Sequence, residues 1–471
     1  MKKLDSLKRM LILQMTFFGL LLETAVYSYF WFFFYYARVR LRLKFYIKGH
    51  LLVIGIYFVL LFFFSTTYGG MKIGYLKPGD VFFSKVFSLL AVNVISYFQI
   101  SLMSNWLVKV SPILKATVIQ LCIAGIWTYF CNILYRKVFP PRKMLLVHGD
   151  RPIDDILYKF GTRKDKYDIQ KTMHISSGRE AVVAEAFSGN YGAVVLWDIP
   201  IEDRNKLLKV LYSRNMRVYM MPKITDVLVQ GSDQIHLFDT PILLTREYAL
   251  TIGQRVCKRL IDIACALILL VIASPIMLIT AILIKAYDGG PAFYKQIRCT
   301  RDQKEFCILK FRSMRVDAEK DGVARLAAKK DDRITPIGKF IRAVRIDELP
   351  QLINILRGDM SFIGPRPERP EIIKQYMEEM PEFAFRMRVK AGLAGYAQVY
   401  GKYNTTPYDK LKLDLTYIEN YSLWLDIKLM LLTLKILFQP ESTEGIDSTQ
   451  TTALKTDENE TNNGGLPGDK V

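Results

Sequence analysis

Four apolar and aromatic runs near the start of the chain, Leu11–Tyr36, Leu51–Phe64, Val81–Met103 and Ile113–Tyr135, limit the fold before any other feature does. A helix needs about 20 apolar residues to cross a bilayer. All but the second run reach that length, and the second extends toward Tyr68. Residues 1–140 are therefore expected to form four transmembrane helices. The N-terminus is basic, with Lys2, Lys3, Lys8 and Arg9, but has no small-residue cleavage site, so it reads as an uncleaved anchor. Placing it inside also puts Arg136, Lys137, Arg142 and Lys143 inside. The same choice puts Arg38, Arg40, Arg42, Lys44 and Lys48 outside, against the tendency for basic loops to stay inside.

Composition agrees with a membrane protein. The 471 residues are 51% hydrophobic, and the length suffices for two or three folding units. A formal charge of +20 does not by itself point to nucleic acid, and no nucleic-acid partner is expected. On a membrane protein the charge fits anionic headgroups, a lipid phosphate or a nucleotide diphosphate equally well. The six cysteines form no CxxC pair and read as reduced thiols. All four histidines (His50, His148, His174 and His236) precede residue 237, which excludes histidine or zinc chemistry in the region beyond.

After the spans, Met144–Val147, Ala193–Trp197 and Val218–Met221 are β-like runs separated by polar stretches of helical length. The alternation predicts a small doubly wound, Rossmann-like parallel sheet within residues 141–248. Its first turn, His148-Gly149-Asp150-Arg151-Pro152, lacks the further glycines that let a backbone approach pyrophosphate. A regulatory or oligomerising role, which would make the chain a homo-oligomer, is favoured over cofactor binding.

Leu260–Ile284 is a fifth apolar segment, about 37 Å long as one helix, with Ser274-Pro275 in its middle. Proline removes a donor and clashes with the preceding turn, so a break is expected there. Lys258-Arg259 and Lys285 flank the segment on both sides. A re-entrant hairpin over 258–285 places both flanks on one face of the membrane; a kinked fifth span satisfies only one. From Lys285 to Arg315 there are eight Lys/Arg against three Asp/Glu, and the segment includes Lys310-Phe311-Arg312-Ser313-Met314.

The chemistry concentrates further on. Arg345-Ile346-Asp347-Glu348-Leu349-Pro350-Gln351-Leu352 carries two adjacent carboxylates, with Arg342 five residues before Asp347. Gly364-Pro365-Arg366-Pro367 then forms a rigid turn that presents Arg366. Carboxylates suit Mg²⁺, and a guanidinium fork suits phosphate oxygens. Gly395-Tyr396-Ala397-Gln398-Val399-Tyr400-Gly401-Lys402 imitates a phosphate loop, but its glycine spacing is wrong and Tyr403 stands where Ser or Thr is needed. Tyr417–Phe438 suits an amphipathic helix at the interface, and the acidic, Thr/Asn/Gly-rich stretch 441–471 is expected to be disordered.

These segments, in this order, resemble the monotopic phosphoglycosyl transferases, the bacterial sugar transferases, over about residues 250–440. The N-terminal half resembles the family's larger members in layout only. The chain departs from the family at Ala391-Gly392-Leu393-Ala394-Gly395-Tyr396-Ala397-Gln398-Val399, where Pro, Thr and Trp are usual. The resemblance implies a multi-pass protein of the bacterial inner membrane with its N-terminus inside. A mostly helical catalytic domain lies on the cytoplasmic face, anchored by a re-entrant helix broken at Ser274-Pro275. It also implies transfer of a sugar-1-phosphate from a UDP-sugar to polyprenyl (undecaprenyl) phosphate, with release of UMP. Asp347 would be the nucleophile, and Glu348 would orient or bind Mg²⁺ beside it. Arg366, Arg342, Lys310 and Arg312 would hold phosphate. Two other readings remain: a membrane-anchored enzyme that modifies nucleotide sugars, and a non-catalytic membrane regulator.

Overall fold

The computed structural model describes residues 2–36, 46–245, 249–316, 318, 333–401 and 405–437. The basic loop Arg38–Lys44 and the tail 441–471 lie outside them. The chain divides into two compact units, Met1–Pro222 and Lys223–Val471.

The first unit opens with four long helices: α1 (Lys2–Phe30, continued by a π-helical turn Trp31–Tyr35), α2 (Ile47–Tyr68), α3 (Pro78–Ser104) and α4 (Ser111–Val138). All four are long and apolar enough to cross a membrane. Their common interior is polar in places. Glu23 on α1 pairs with Lys85 on α3 at 3.1 Å, with side chains 1% and 5% exposed. Tyr57 on α2 donates to Asn93 Oδ1 on α3, and Asn93 Nδ2 donates to Thr117 and Gln120 on α4. Gln120 closes the ring by donating to Tyr57 Oη and to the Glu23 carbonyl. Lipid offers no hydrophobic drive between helices, so such interhelical bonds help fix which faces meet.

An α/β layer follows: β1 (Arg142–His148), α5 (Asp154–Gly161), β2 (Tyr167–His174), α6 (Arg179–Ser188), β3 (Ala193–Trp197), α7 (Ile201–Ser213) and β4 (Arg217–Met220). The strands are parallel in the order β2-β1-β3-β4. Central β1 and β3 are buried apolar runs, as such a sheet requires. Strand β2 has no apolar run because it is an edge strand, half-buried at best.

The second unit starts with α8 (Ile224–Gln230), whose Val227 is buried in this unit's own core with Leu250, Leu411 and Leu415. The division thus falls at Pro222 and not near residue 248. A hairpin, β5 (Asp233–Leu237) with β6 (Thr240–Leu244), precedes α9 (Ile252–Asp288), a fifth helix of membrane-crossing length. The expected division of α9 into two helices at Ser274-Pro275 is not found; the helix runs on with Pro275 inside it. Proline leaves the carbonyl four residues back without its donor, and Ser274 Oγ donates to that very carbonyl, Val271 O, at 2.8 Å.

Strands β7 (Phe293–Cys299) and β8 (Glu305–Phe311) form an antiparallel pair. The remaining elements are α10 (Pro336–Ala343), α11 (Gln351–Arg357), β9 (Ser361–Ile363), α12 (Pro370–Glu379), β10 (Gly392–Ala394), α13 (Tyr396–Tyr400), α14 (Pro407–Glu419) and α15 (Leu423–Leu437). Parallel β9 and β10 lie unusually close. A Cβ on Gly392 would come within 2.1 Å of Gly364 N, and one on Gly395 within 2.4 Å of Gly364 O. Gly395, the first glycine of the phosphate-loop look-alike, thus serves backbone packing.

Candidate active site

The dyad sits at a bend between two helices. Helix α10 ends at Ala343, and Arg345 takes a left-handed conformation with φ of 58°. This backbone costs a non-glycine residue about 1–2 kcal/mol. Ile346–Glu348 then forms one 3₁₀ turn, and Pro350 precedes α11. The bend turns both carboxylates toward β8 and the Gly364–Pro367 turn.

Glu348 Oε1 is the centre of the charge cluster. Arg366 Nη2 donates to it at 3.0 Å, while Lys310 Nζ stands at 3.7 Å and Arg345 Nη1 at 3.8 Å. Burial on its own would raise this carboxyl, but Arg366, Lys310 and Arg345 outweigh it and hold Glu348 down at about 2. Asp347 goes the other way. Burial, reinforced by the Glu348 charge, lifts its carboxyl to about 6 against the pull of Lys310, Arg345 and Arg342. Its Oδ1 is buried and has no hydrogen-bond partner. Buried polar atoms are rarely left so, and such an exception commonly marks a catalytic role or a site for an ion or water. The pair thus combines one carboxylate held in its ionised form by surrounding cations with one unbonded carboxylate oxygen.

Lys310 and Arg366 reach the dyad because their backbones are fixed from behind. Buried Asn354 on α11 accepts from Leu309 N at 3.0 Å and donates to Cys307 O at 2.8 Å, standing in for a neighbouring strand along β8. Arg386 donates to the Arg366 carbonyl at 3.0 Å and Arg298 to the Pro367 carbonyl at 3.2 Å. Both arginines also lie within 4 Å of Glu368, and Arg386 pairs with buried Asp414 at 2.8 Å.

The structure therefore brings together Asp347, Glu348, Lys310 and Arg366, with Arg342 near enough to act on Asp347. Arg312 stands apart from this contact set. It is buried and paired with Asp288 at the end of α9, with Nε and Nη1 unbonded. Ser274 and Pro275 lie mid-helix in α9. Sequence reasoning missed Arg345, Asn354, Arg298 and Arg386. Arg345 stands two residues before Asp347 and was the most findable; the others join the site only through long-range contacts.

Among the described residues no group of three or more His, Cys, Asp or Glu could hold a metal ion. A pair of carboxylates with one unbonded buried oxygen still fits Mg²⁺, which is commonly held by one or two carboxylates plus water and substrate phosphates.

Residues 253–440 match the family described as bacterial sugar transferase. Three curated relatives show the range of the likeness. The chain is 43% identical over 183 residues to a UDP-N-acetylgalactosamine-undecaprenyl-phosphate N-acetylgalactosaminephosphotransferase of Aeromonas hydrophila, covering 38% of this chain and 43% of the relative. It is 38% identical over 190 residues to a UDP-glucose:undecaprenyl-phosphate glucose-1-phosphate transferase of Caulobacter vibrioides, covering 39% and 71%. It is 29% identical over 392 residues to an undecaprenyl-phosphate glucose phosphotransferase of Komagataeibacter xylinus, covering 78% and 71%. The match spans about half the length of several other curated relatives. The chain belongs to the bacterial sugar transferase family. With its five apolar helices, it is a membrane protein.

Proposed function

We propose that this protein transfers a sugar-1-phosphate from a UDP-sugar to undecaprenyl phosphate, releasing UMP and starting the assembly of a glycan on a lipid carrier. The observation that carries the reading is Asp347, whose buried oxygen lacks a partner beside a cation-locked Glu348. The named activities of the relatives support the substrate class.

In the proposed sequence an Asp347 carboxylate oxygen attacks the sugar-bearing phosphorus of the donor. The bond from that phosphorus to the bridging oxygen breaks, and UMP leaves with the electron pair. An oxygen of undecaprenyl phosphate then attacks the same phosphorus, and the bond to Asp347 breaks. Splitting the transfer lets one site serve a soluble and a lipid substrate in turn. Arg366, Lys310 and Arg342 hold phosphate oxygens, and Arg366 and Lys310, with Arg345, keep Glu348 ionised. Arg312, buried with two unbonded nitrogens at the end of α9, suits an additional phosphate contact near the membrane. Asp347 and Glu348 would hold Mg²⁺ together with diphosphate oxygens, where the ion neutralises charge on the leaving UMP.

The catalytic unit is proposed to face the cytoplasm of the bacterial inner membrane, with α9 entering and leaving on that side. Both ends of α9 attach to one small region. Arg259 donates to the Leu356 carbonyl of α11, Asn354 of α11 bonds β8, and Asp288 pairs with Arg312 just beyond β8. A straight helix would hold Arg259 and Asp288 about 43 Å apart. A bend at Pro275 reconciles these contacts.

The test is UMP release from a panel of UDP-sugars with membrane-bound protein and undecaprenyl phosphate. Asp347→Asn, which keeps volume but removes the nucleophile, is expected to abolish turnover at unchanged expression. Activity within about threefold of wild type would sink the covalent assignment.

A further inference from the structure

The start of α9 attaches to both halves of the candidate site through side chains that have no part in the chemistry above. Arg259 donates through Nη1 and Nη2 to the carbonyls of Ile355 and Leu356, the closing turn of α11, whose opposite end follows the dyad. Asp262, 4% exposed, accepts from Phe362 N at 2.9 Å and Ser361 Oγ at 3.0 Å in β9. Lys258, 7% exposed, bonds Asp426 Oδ2 at 2.6 Å and Tyr417 Oη at 3.2 Å. Tyr417 Oη lies 2.8 Å from Asp426 Oδ1, its nearer acceptor, and 3.3 Å from the carbonyl of Ile363, the last residue of β9. Residues 361 and 362 are thus bonded to this cluster and residue 363 lies against it, just before Arg366.

We infer that Arg259 and Asp262 are positioning residues: together they set the spacing between the dyad helix and the arginine turn, and hence the 3.0 Å contact of Arg366 with Glu348. A carboxylate sealed from water, with no cation among its bonded partners, is costly unless it is hydrogen-bonded, and Asp262 takes both its bonds through Oδ1, from the backbone and a hydroxyl of β9. The same stretch of α9 opens its apolar run toward Ile284. Seating that run in lipid therefore fixes the bracket, and the bracket fixes the site.

The catalytic consequence rests on the transferase reading, whereas the bracket itself does not. Full-length protein in lipid nanodiscs is compared as wild type, Asp262→Asn and the milder Ser361→Ala. Hydrogen exchange of peptides covering 361–368 reads the bracket without any activity. It is expected to quicken at least tenfold in Asp262→Asn and less in Ser361→Ala, with peptides from the α/β layer unchanged. Steady-state UMP release reads the site: the KM for the UDP-sugar is expected to rise at least fivefold together with a fall in kcat. Loss of folded protein alone would lower the maximal rate at unchanged KM, and that outcome overturns the inference. Unchanged exchange over 361–368 in both variants overturns it as well. Should wild type release no UMP from any UDP-sugar, the functional reading fails, and the exchange data still decide the bracket. If Asp262→Asn does not fold, Ser361→Ala carries both measurements.

Discussion

At the scale of single residues, the site depends on two neighbouring carboxylates being driven apart. Their sequence adjacency could be seen at once; their difference could not, because it comes from Arg366, Lys310 and Arg345 crowding one of them. A pH dependence follows. As the proposed nucleophile, Asp347 must be ionised; burial lifts it to about 6, so the active fraction is expected to fall as pH drops through that value. Glu348, held near 2, stays charged throughout. The kcat/KM for the donor is expected to fall about tenfold per pH unit below roughly pH 6. A profile flat down to pH 5 contradicts the assignment. Replacing Asn354 with Leu should act at a distance. It leaves Leu309 N and Cys307 O without partners, at a cost of about 1–3 kcal/mol each. Thermal unfolding and turnover measured together are expected to show both a lower midpoint and a lower rate.

At the scale of elements, what could be read from the sequence tracks what is local. The four N-terminal helices announce themselves by apolar length, and β1 and β3 by short buried runs. Edge strand β2 hides because half its side chains meet solvent, and the dyad bend hides because its left-handed residue is an arginine. Asn354 reads as an ordinary helix residue until β8 lies beside it. Helix α9 was legible in length but not in continuity: Ser274 repairs the carbonyl that Pro275 deprives, so the helix survives its proline. The proposed bend can be tested by replacing Ser274 and Pro275 with Ala, which should straighten α9 into a span. A cysteine placed near Lys285, with the native cysteines removed, should resist an impermeant thiol reagent in intact cells. In the double variant at least a fraction should become labelled. Labelling without the double substitution would show that α9 already crosses.

At the scale of the molecule, the catalytic unit holds every residue of the site and has a core of its own, including Val227 from α8. A fragment starting at residue 223 is therefore expected to bind membranes through α9 and to keep UMP release. A fragment starting at residue 246 loses α8 and strips the cover from one side of the Leu411–Leu415 core. The side chain of Val227 alone is worth about 1.5–3 kcal/mol of burial. The shorter fragment should unfold at lower temperature by circular dichroism, and equal midpoints would show that α8 is dispensable.

The pair Glu23–Lys85 also bears on how the protein is made. Glu23 leaves the ribosome 62 residues before Lys85, so α1 must face the bilayer with an uncompensated carboxylate until α3 arrives. A lone charge within a membrane helix costs on the order of 3 kcal/mol on insertion scales. First and third helices are thus expected to leave the translocon as partners, with α1 waiting at its lateral gate. Lys85→Met should slow the release of α1 into lipid, as read by crosslinking of ribosome-bound chains to the translocon. Adding Glu23→Leu should restore it, since the debt disappears with the charge that created it.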